Sequence, residues 1–560
     1  MRHTKLDAPL SVCHCEERSD VAISTPRPSC VAVRRFGIWH GLLLLPLLVV
    51  TGCRGVGLRE MKSAVEQAAG DSSRIATFYA NRDFAPYWTQ KPGLSDEAID
   101  VLNRLCRADD EGLDASAFDL LTLADLLETA YDEALPDSQR ARATAQLEVG
   151  LSDALVRFAD QMHHGVTDPR TLGAQWHVNH DTLMAYEVLQ QTTTDGIDAL
   201  LDELSAPRPA YAELRRAHAR YRAIAARGGW KSVPSPESPN FAHLLTARLF
   251  ATHDLPDDAD STSASPTDLA EGVRHFQQRH GLLQTGRVDV ETRGRLNVSA
   301  EDRARTLGRN LERARWMPAQ PGPRYLYANL ASGIVQGFDE GNDPVRLSAT
   351  STRDTPLRAD TLRTLTMAPT WNVPPAKAAD LMRRGLLTEN AGFEAYQSEQ
   401  RVPMSGVTED ELARGTVRVK QRGGGRNALG SLALRPRLGG AAFVHGGDDD
   451  DVTPAGVDVE DAASLAAFVL DWTSERAAAA LRAARAEETA RVLDIEPALP
   501  YFALYLTAWA EPDGTVHFRP DVRGRDAALD SALRAAVAPV DARQLSDACT
   551  LLTTPPATDD

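Results

Sequence analysis

Between Cys106 and Cys549 the chain contains no cysteine. Chemistry that runs through a thiolate is therefore closed to that whole stretch, whatever fold it adopts. The remaining thiols, Cys13, Cys15, Cys30 and Cys53, crowd the N-terminal end, and Cys13-His14-Cys15 lacks the second ligand pair that a zinc site needs. Excess positive charge is also missing: 61 Lys and Arg against 78 Asp and Glu leave a formal charge of -17. That is the wrong sign for a protein that holds nucleic acid by displacing condensed cations, so no nucleic-acid partner is expected. No internal repeat is present. The apolar run from Phe36 to Val50 falls short of a comfortable bilayer span.

What is present begins with that run. Preceded by Arg34-Arg35, it has the length of a signal-peptide core, and Val50-Thr51-Gly52-Cys53 after it matches a bacterial lipobox. Residues 31–53 are thus expected to be a lipoprotein signal with Cys53 as the lipidated residue; a plain secretory signal or short anchor is the alternative. Arg54 stands where inner-membrane retention would need aspartate, which favours a periplasmic protein anchored to the outer membrane. Residues 1–30 fit no such signal and are expected to be a mis-assigned start, or disordered.

At 560 residues the chain needs about three or four cores. From 54 to 232 apolar residues recur three and four apart, as in Ala98 to Leu105, Phe118 to Leu127, Ala145 to Phe158 and Tyr211 to Ala226, which predicts helices. His163 and His164, adjacent on a helix, point about 100° apart and suit a helix end capped by Gly165 better than a shared metal. Val233 to Asn240 reads as a linker, 241–298 as a small module, and Asp257 to Thr267 as a flexible insert. A connecting helix is expected over Ala304 to Trp316. Beyond Met317 the pattern turns to short strands: Tyr325 to Leu330 with Ile334 to Phe338, then a strand ending at Phe443-Val444-His445-Gly446. Ala462 to Asp471 reads as a helix, and Tyr505 to Trp509 with Asp513 to Arg519 as a hairpin turning at Asp513-Gly514. Residues 536–560 read as a tail.

Several strings carry a family resemblance. Asp153 to Phe158 with His163 to Pro169, then Val273 to Leu282 with Thr285 to Asp289, then Thr355-Pro356, Thr370 to Pro375, Asn427 to Gly430, Val459-Glu460-Asp461 and Gly524-Arg525-Asp526 together resemble the large periplasmic L,D-transpeptidases. The resemblance implies a multi-domain α+β protein. It would have a helical scaffold (54–232), a small three-helix peptidoglycan-binding module (241–298), and a mostly-β L,D-transpeptidase-like domain (304–535) with a lid subdomain (376–425). It further implies a substrate cleft at Trp371, Asn372, Pro374, His445 and Gly446, with peptidoglycan-binding candidates Phe276, Gln277, Arg279 and Asp289.

The family's catalytic motif reads Ser-His-Gly-Cys-x-Arg followed by Val-Glu-Asp. Aligned on Val459-Glu460-Asp461, the serine, histidine, cysteine and arginine positions are held by Thr453, Pro454, Gly456 and Asp458; aligned on His445-Gly446-Gly447, the cysteine position is again glycine. A glycine cannot be acylated, and Asp458 with Asp448 to Asp451 gives a field that disfavours a thiolate. No catalytic residue is expected to be intact, and no metal or cofactor is expected, the aspartate run lacking the spacing of a calcium loop. A hydroxyl rescue would need Thr453 or Ser464 beside the retained His445. The expected role is a wall-bound pseudoenzyme whose partners are peptidoglycan and active wall-synthesis enzymes. The alternatives are an L,D-transpeptidase or hydrolase with a non-cysteine nucleophile, and a purely structural envelope lipoprotein.

Overall fold

The computed structural model describes residues 57–70, 75–90, 93–177, 183–204, 208, 211–256, 258–260, 262–424, 426–437, 443–446 and 456–554. Its architecture is mixed α+β, an N-terminal helical region followed by a β-barrel.

The helical region opens with α1 (Leu58–Gly70), α2 (Ala76–Ala80), α3 (Asp96–Cys106), α4 (Leu120–Tyr131) and α5 (Asp137–His164). Local chemistry sets their ends. Ser95 accepts the amide of Ala98 to start α3, and Gly165, at φ 84, ends α5 in a conformation that only glycine adopts freely. A two-residue strand, β1 (Gln175–Trp176), is followed by α6 (Ala185–Asp195), α7 (Ile197–Leu204) and α8 (Tyr211–Ala226). The long α5 is the hub of this core, burying Leu147, Leu151, Leu155 and Phe158 among Phe78, Trp88, Leu102 and Phe118.

Two buried carboxylates fasten the loops. Glu148 on α5 accepts the backbone amides of Tyr87, Trp88 and Thr89 and the hydroxyls of Thr89 and Tyr79. Burial pushes its carboxyl up, and these donors pull it back. Glu312 repeats the device, accepting the amides of Val166 and Thr167, the Thr167 hydroxyl and the Trp316 indole.

A stretch without regular secondary structure over 231–235 leads to α9 (Phe241–Phe250), α10 (Pro266–Arg279) and α11 (Val290–Leu296), which enclose a small core of Val233, Leu245, Leu249, Val273, Phe276 and Leu296. Order begins earlier than the sequence suggests. A capping box between Ser265 and Asp268 starts α10 inside the stretch read as a flexible insert. Helix α12 (Ala300–Arg315) then packs on α8, burying Leu307 and Leu311 against Tyr211, Leu214 and Tyr221.

The strands follow: β2 (Arg324–Asn329), β3 (Ile334–Asp339), β4 (Val345–Ser351), β5 (Arg358–Met367) and β6 (Trp371–Val373). Next come α13 (Pro375–Arg383), β7 (Phe393–Gln397), β8 (Gln400–Val402), α14 (Glu409–Ala413), β9 (Arg418–Gln421), β10 (Leu432–Pro436), β11 (Phe443–Gly446) and β12 (Gly456–Val459). The chain ends with α15 (Ala462–Leu470), α16 (Ser474–Glu487), β13 (Arg491–Leu504), β14 (Ala508–Ala510), β15 (Val516–Phe518), α17 (Arg525–Ala535) and α18 (Ala542–Thr553).

The main sheet runs β5-β10-β11-β12-β4-β3-β2-β13, and β13 also pairs with β5, so these eight strands close into a ring. Strand β1 adds to the outside of β5 and brings Trp176 edge-on to Trp316, joining barrel and helices. Between β5 and β10 the chain builds a separate body, the four-stranded sheet β6-β9-β7-β8 with α13 and α14, around its own core of Trp371, Leu381, Phe393, Leu412 and Val419.

The C-terminal segment departs from the expected tail. Residues 542–553 form α18, which turns Ala548 and Leu552 into the helical core beside α3 and α4 and bonds Cys549 to Cys106. Counting cysteines could not reveal this pairing, because the partners are 443 residues apart and meet only in the folded chain.

Candidate functional site

The two halves of the degenerate motif meet as neighbouring strands. β11 and β12 pair in parallel, with Phe443 opposite Gly456, Val444 opposite Val457 and His445 opposite Asp458. His445 is completely buried, and neither ring nitrogen makes a hydrogen bond among the described residues. Its Nδ1 lies 3.4 Å from the Asp458 carboxylate.

Packing explains the glycine beside His445. A Cβ on Gly446 would fall 2.6 Å from the Ala462 side chain at the start of α15, so this position cannot carry a larger residue without moving the helix. Gly456 differs. Its φ of 154 lies in a region essentially confined to glycine, and the backbone here has settled into a conformation that a cysteine would resist. The Gly456 carbonyl accepts the Thr355 hydroxyl at 2.7 Å. Arg523 and Arg525 both donate to the Thr355 carbonyl at 3.0 Å, and Arg523 reaches Ser351 Oγ at 2.6 Å. The C-terminal Arg523-Gly524-Arg525 string thereby braces the start of β12, a role its sequence does not announce.

The inserted body is rooted next to His445. β10, which returns the chain to the barrel, pairs Ala433 with His445, and Ser431 donates its amide to the Gly446 carbonyl. The cleft expected from Trp371 is not formed by that side chain. Trp371 is 2% exposed and sits in the core of the inserted body near Phe393, because alternation along β6 turns it and Val373 inward and Asn372 out to solvent. Pro374 occupies the N-cap of α13.

Three of the peptidoglycan-binding candidates also point inward. Phe276 is core, and the Gln277 amide donates to Thr285 Oγ1, the Arg287 carbonyl and Thr292 Oγ1. Arg279 grips Asp254 through Nε and Nη2, both at 2.5 Å, and donates to the Val516 carbonyl. Burial acts to raise the Asp254 carboxyl, yet Arg279 and its hydrogen bonds bring it down to about 2. These side chains hold the three-helix unit together and dock it on the β14–β15 hairpin, so they are placed inside the unit. Asp289 is exposed, but its carboxylate caps α11 by accepting the amide of Thr292.

Of the hydroxyl candidates, Ser464 donates to Asp461 at 2.6 Å within the cap of α15. Thr453 and Pro454, the run Asp448 to Asp451, and Cys53 lie outside the described residues. Cavities of about 480, 360 and 170 Å³ occur elsewhere, and none is lined by His445, Gly456 or Asp458. Among the described residues no group of three or more His, Cys, Asp or Glu is arranged to hold a metal, and no helix is long and apolar enough to cross a membrane.

Comparison with known proteins covers the helical region. No curated protein matches the chain. A family model described as Scaffold domain matches residues 73–217, from just before α2 into α8.

Proposed function

We propose that this chain is a cell-envelope protein of the L,D-transpeptidase type that has lost acyl transfer and acts by binding peptidoglycan or by regulating active wall enzymes. One observation carries the reading. His445 and the strand that carries Gly456 and Asp458 are held side by side in a closed barrel, while the position aligned with the acyl-accepting thiol is a glycine whose backbone suits glycine. The ancestral reaction needs a thiolate, a base to form it and donors for the oxyanion. Here the base faces a carboxylate and has no thiol to deprotonate.

Two further features support an envelope location. The Cys106–Cys549 disulfide belongs to an oxidising compartment, and the lipobox ending at Cys53 fits a lipid anchor. The three-helix unit is the part proposed to meet the wall, through surfaces other than its buried Phe276, Gln277 and Arg279.

The test is incubation of the purified mature protein with tetrapeptide muropeptides and with isolated sacculi. Sedimentation with sacculi and no change in the muropeptides is the expected result. A 3-3 cross-linked product, or a carbapenem adduct mapped to residues 304–535, would establish the enzyme instead; absence from the sacculus pellet would leave a purely structural envelope protein.

A further inference from the structure

A cavity of about 360 Å³ opens on the barrel face made by β2, β3 and β4, beneath the β14–β15 hairpin. Strand alternation builds its floor: Tyr327 on β2 stands opposite Gln336 on β3, and Phe338, two residues on, shares that face and stacks on Tyr325 at 4.7 Å. The wall is Trp509 of the hairpin, its ring stacked on His517 at 4.9 Å.

The charges around the cavity are already matched. Arg346 on β4 meets Glu511 through two hydrogen bonds, at 2.9 and 3.1 Å, and the Trp509 indole donates to the same carboxylate at 3.2 Å. Glu213 at the rim pairs with Arg216 at 2.8 Å. An ionic ligand would meet no free counter-charge here.

Two polar groups are left over. Tyr327 is 5% exposed, and neither its hydroxyl nor the Gln336 amide makes a hydrogen bond to any described residue. Burial holds the Tyr327 phenol above its usual range, so it remains a donor. The ring of Tyr327 is packed away while its hydroxyl keeps accessible surface on the cavity side, so the group is open to a ligand. Aromatic rings beside unsatisfied neutral donors and acceptors, in a cavity of this size, suit a compact uncharged ligand with an apolar face and hydroxyl or amide groups at its edge.

We propose that this cavity is a subsite for a neutral N-acetylated amino sugar, lying against Phe338 and Trp509 with its hydroxyl or acetamide groups bonded to Tyr327 and Gln336. The choice of a glycan rests on the wall-binding reading above; the cavity itself shares no lining residue with the His445 pair.

The test is calorimetric titration of the full mature chain with the N-acetylglucosamine trimer, alongside sacculus sedimentation. Saturable binding is expected, weakened about five- to tenfold by Tyr327→Phe, which removes one hydroxyl, and similarly by Gln336→Ala. Trimer binding unchanged in both variants, no trimer binding, or saturation by a free stem tetrapeptide in place of the trimer would each overturn the subsite. Sacculus binding that persists without trimer binding removes the subsite and leaves the wall reading standing. Trimer binding sensitive to both variants, without sacculus binding, upholds the subsite and removes that reading.

Discussion

Cys106 at the end of α3 and Cys549 in α18 are joined through their sulfurs, their Cα atoms 5.7 Å apart, so the last helix is covalently part of the first helical core. This bond, the glycine at 456 and the buried histidines each have a measurable consequence.

α18 is a single short helix whose buried apolar residues are Ala548 and Leu552, with Leu545, Cys549 and Leu551 partly covered. Such a helix gains little from its own hydrogen bonds, so the cross-link matters to its docking. Cys549→Ser, or reduction, is expected to lower stability by about 2–4 kcal/mol in urea unfolding. Two free thiols in the unreduced protein, or coincident curves with and without reductant, would sink the expectation.

A thiol introduced at position 456 should not support acyl transfer. Gly456→Cys places a side chain at φ 154, at a cost of about 1–3 kcal/mol, and leaves Asp458 beside His445. The variant is expected to melt earlier and to remain unmodified after incubation with a carbapenem, as read by intact mass. Stoichiometric acylation of the introduced thiol would contradict this expectation and the proposal that the site does not carry out acyl transfer.

Acid should loosen the joints between the units. His218 on α8 and His517 on β15 are each pushed down to about 4, by burial first, and His280, stacked on Phe276, is pushed well below its usual range for the same reason. An unfolded histidine titrates near 6.5, so between about pH 6.5 and 4 the unfolded chain binds more protons than the folded one. Stability contributed by the neutral rings is full above pH 6.5 and is lost as pH falls toward 4. For His218 alone the loss reaches about 3 kcal/mol at the lower end. Urea midpoints that are flat between pH 7 and 4.5 would contradict this, and His218→Asn should flatten part of the slope.

Where structure follows from local pattern, the sequence is readable. Tyr211 to Ala226 is predicted and found as one helix, and the hairpin over Tyr325 to Phe338 has the expected partners, because periodicity and turns act within a few residues. Gly456 and Asp458 could be singled out from the motif alone, but the facing of His445 and Asp458 needed the strand register. What escaped depends on distance. Trp371 carries the resemblance of a cleft residue, yet the inserted body uses it as core; Gln277 and Arg279 look like surface groups until their internal partners are seen. The helix at 542–553 was hidden because its apolar stripe is narrow and its partner surface lies at the other end of the chain.

The two carboxylate hubs set an unequal freedom to vary. Glu148 and Glu312 hold their loops largely through main-chain amides, which every residue except proline supplies. Drift at Tyr87 or Val166 can therefore leave these particular bonds untouched, whereas exchange of either glutamate strands several donors at once. Over evolutionary time the loops can be rewritten around an acid that stays put.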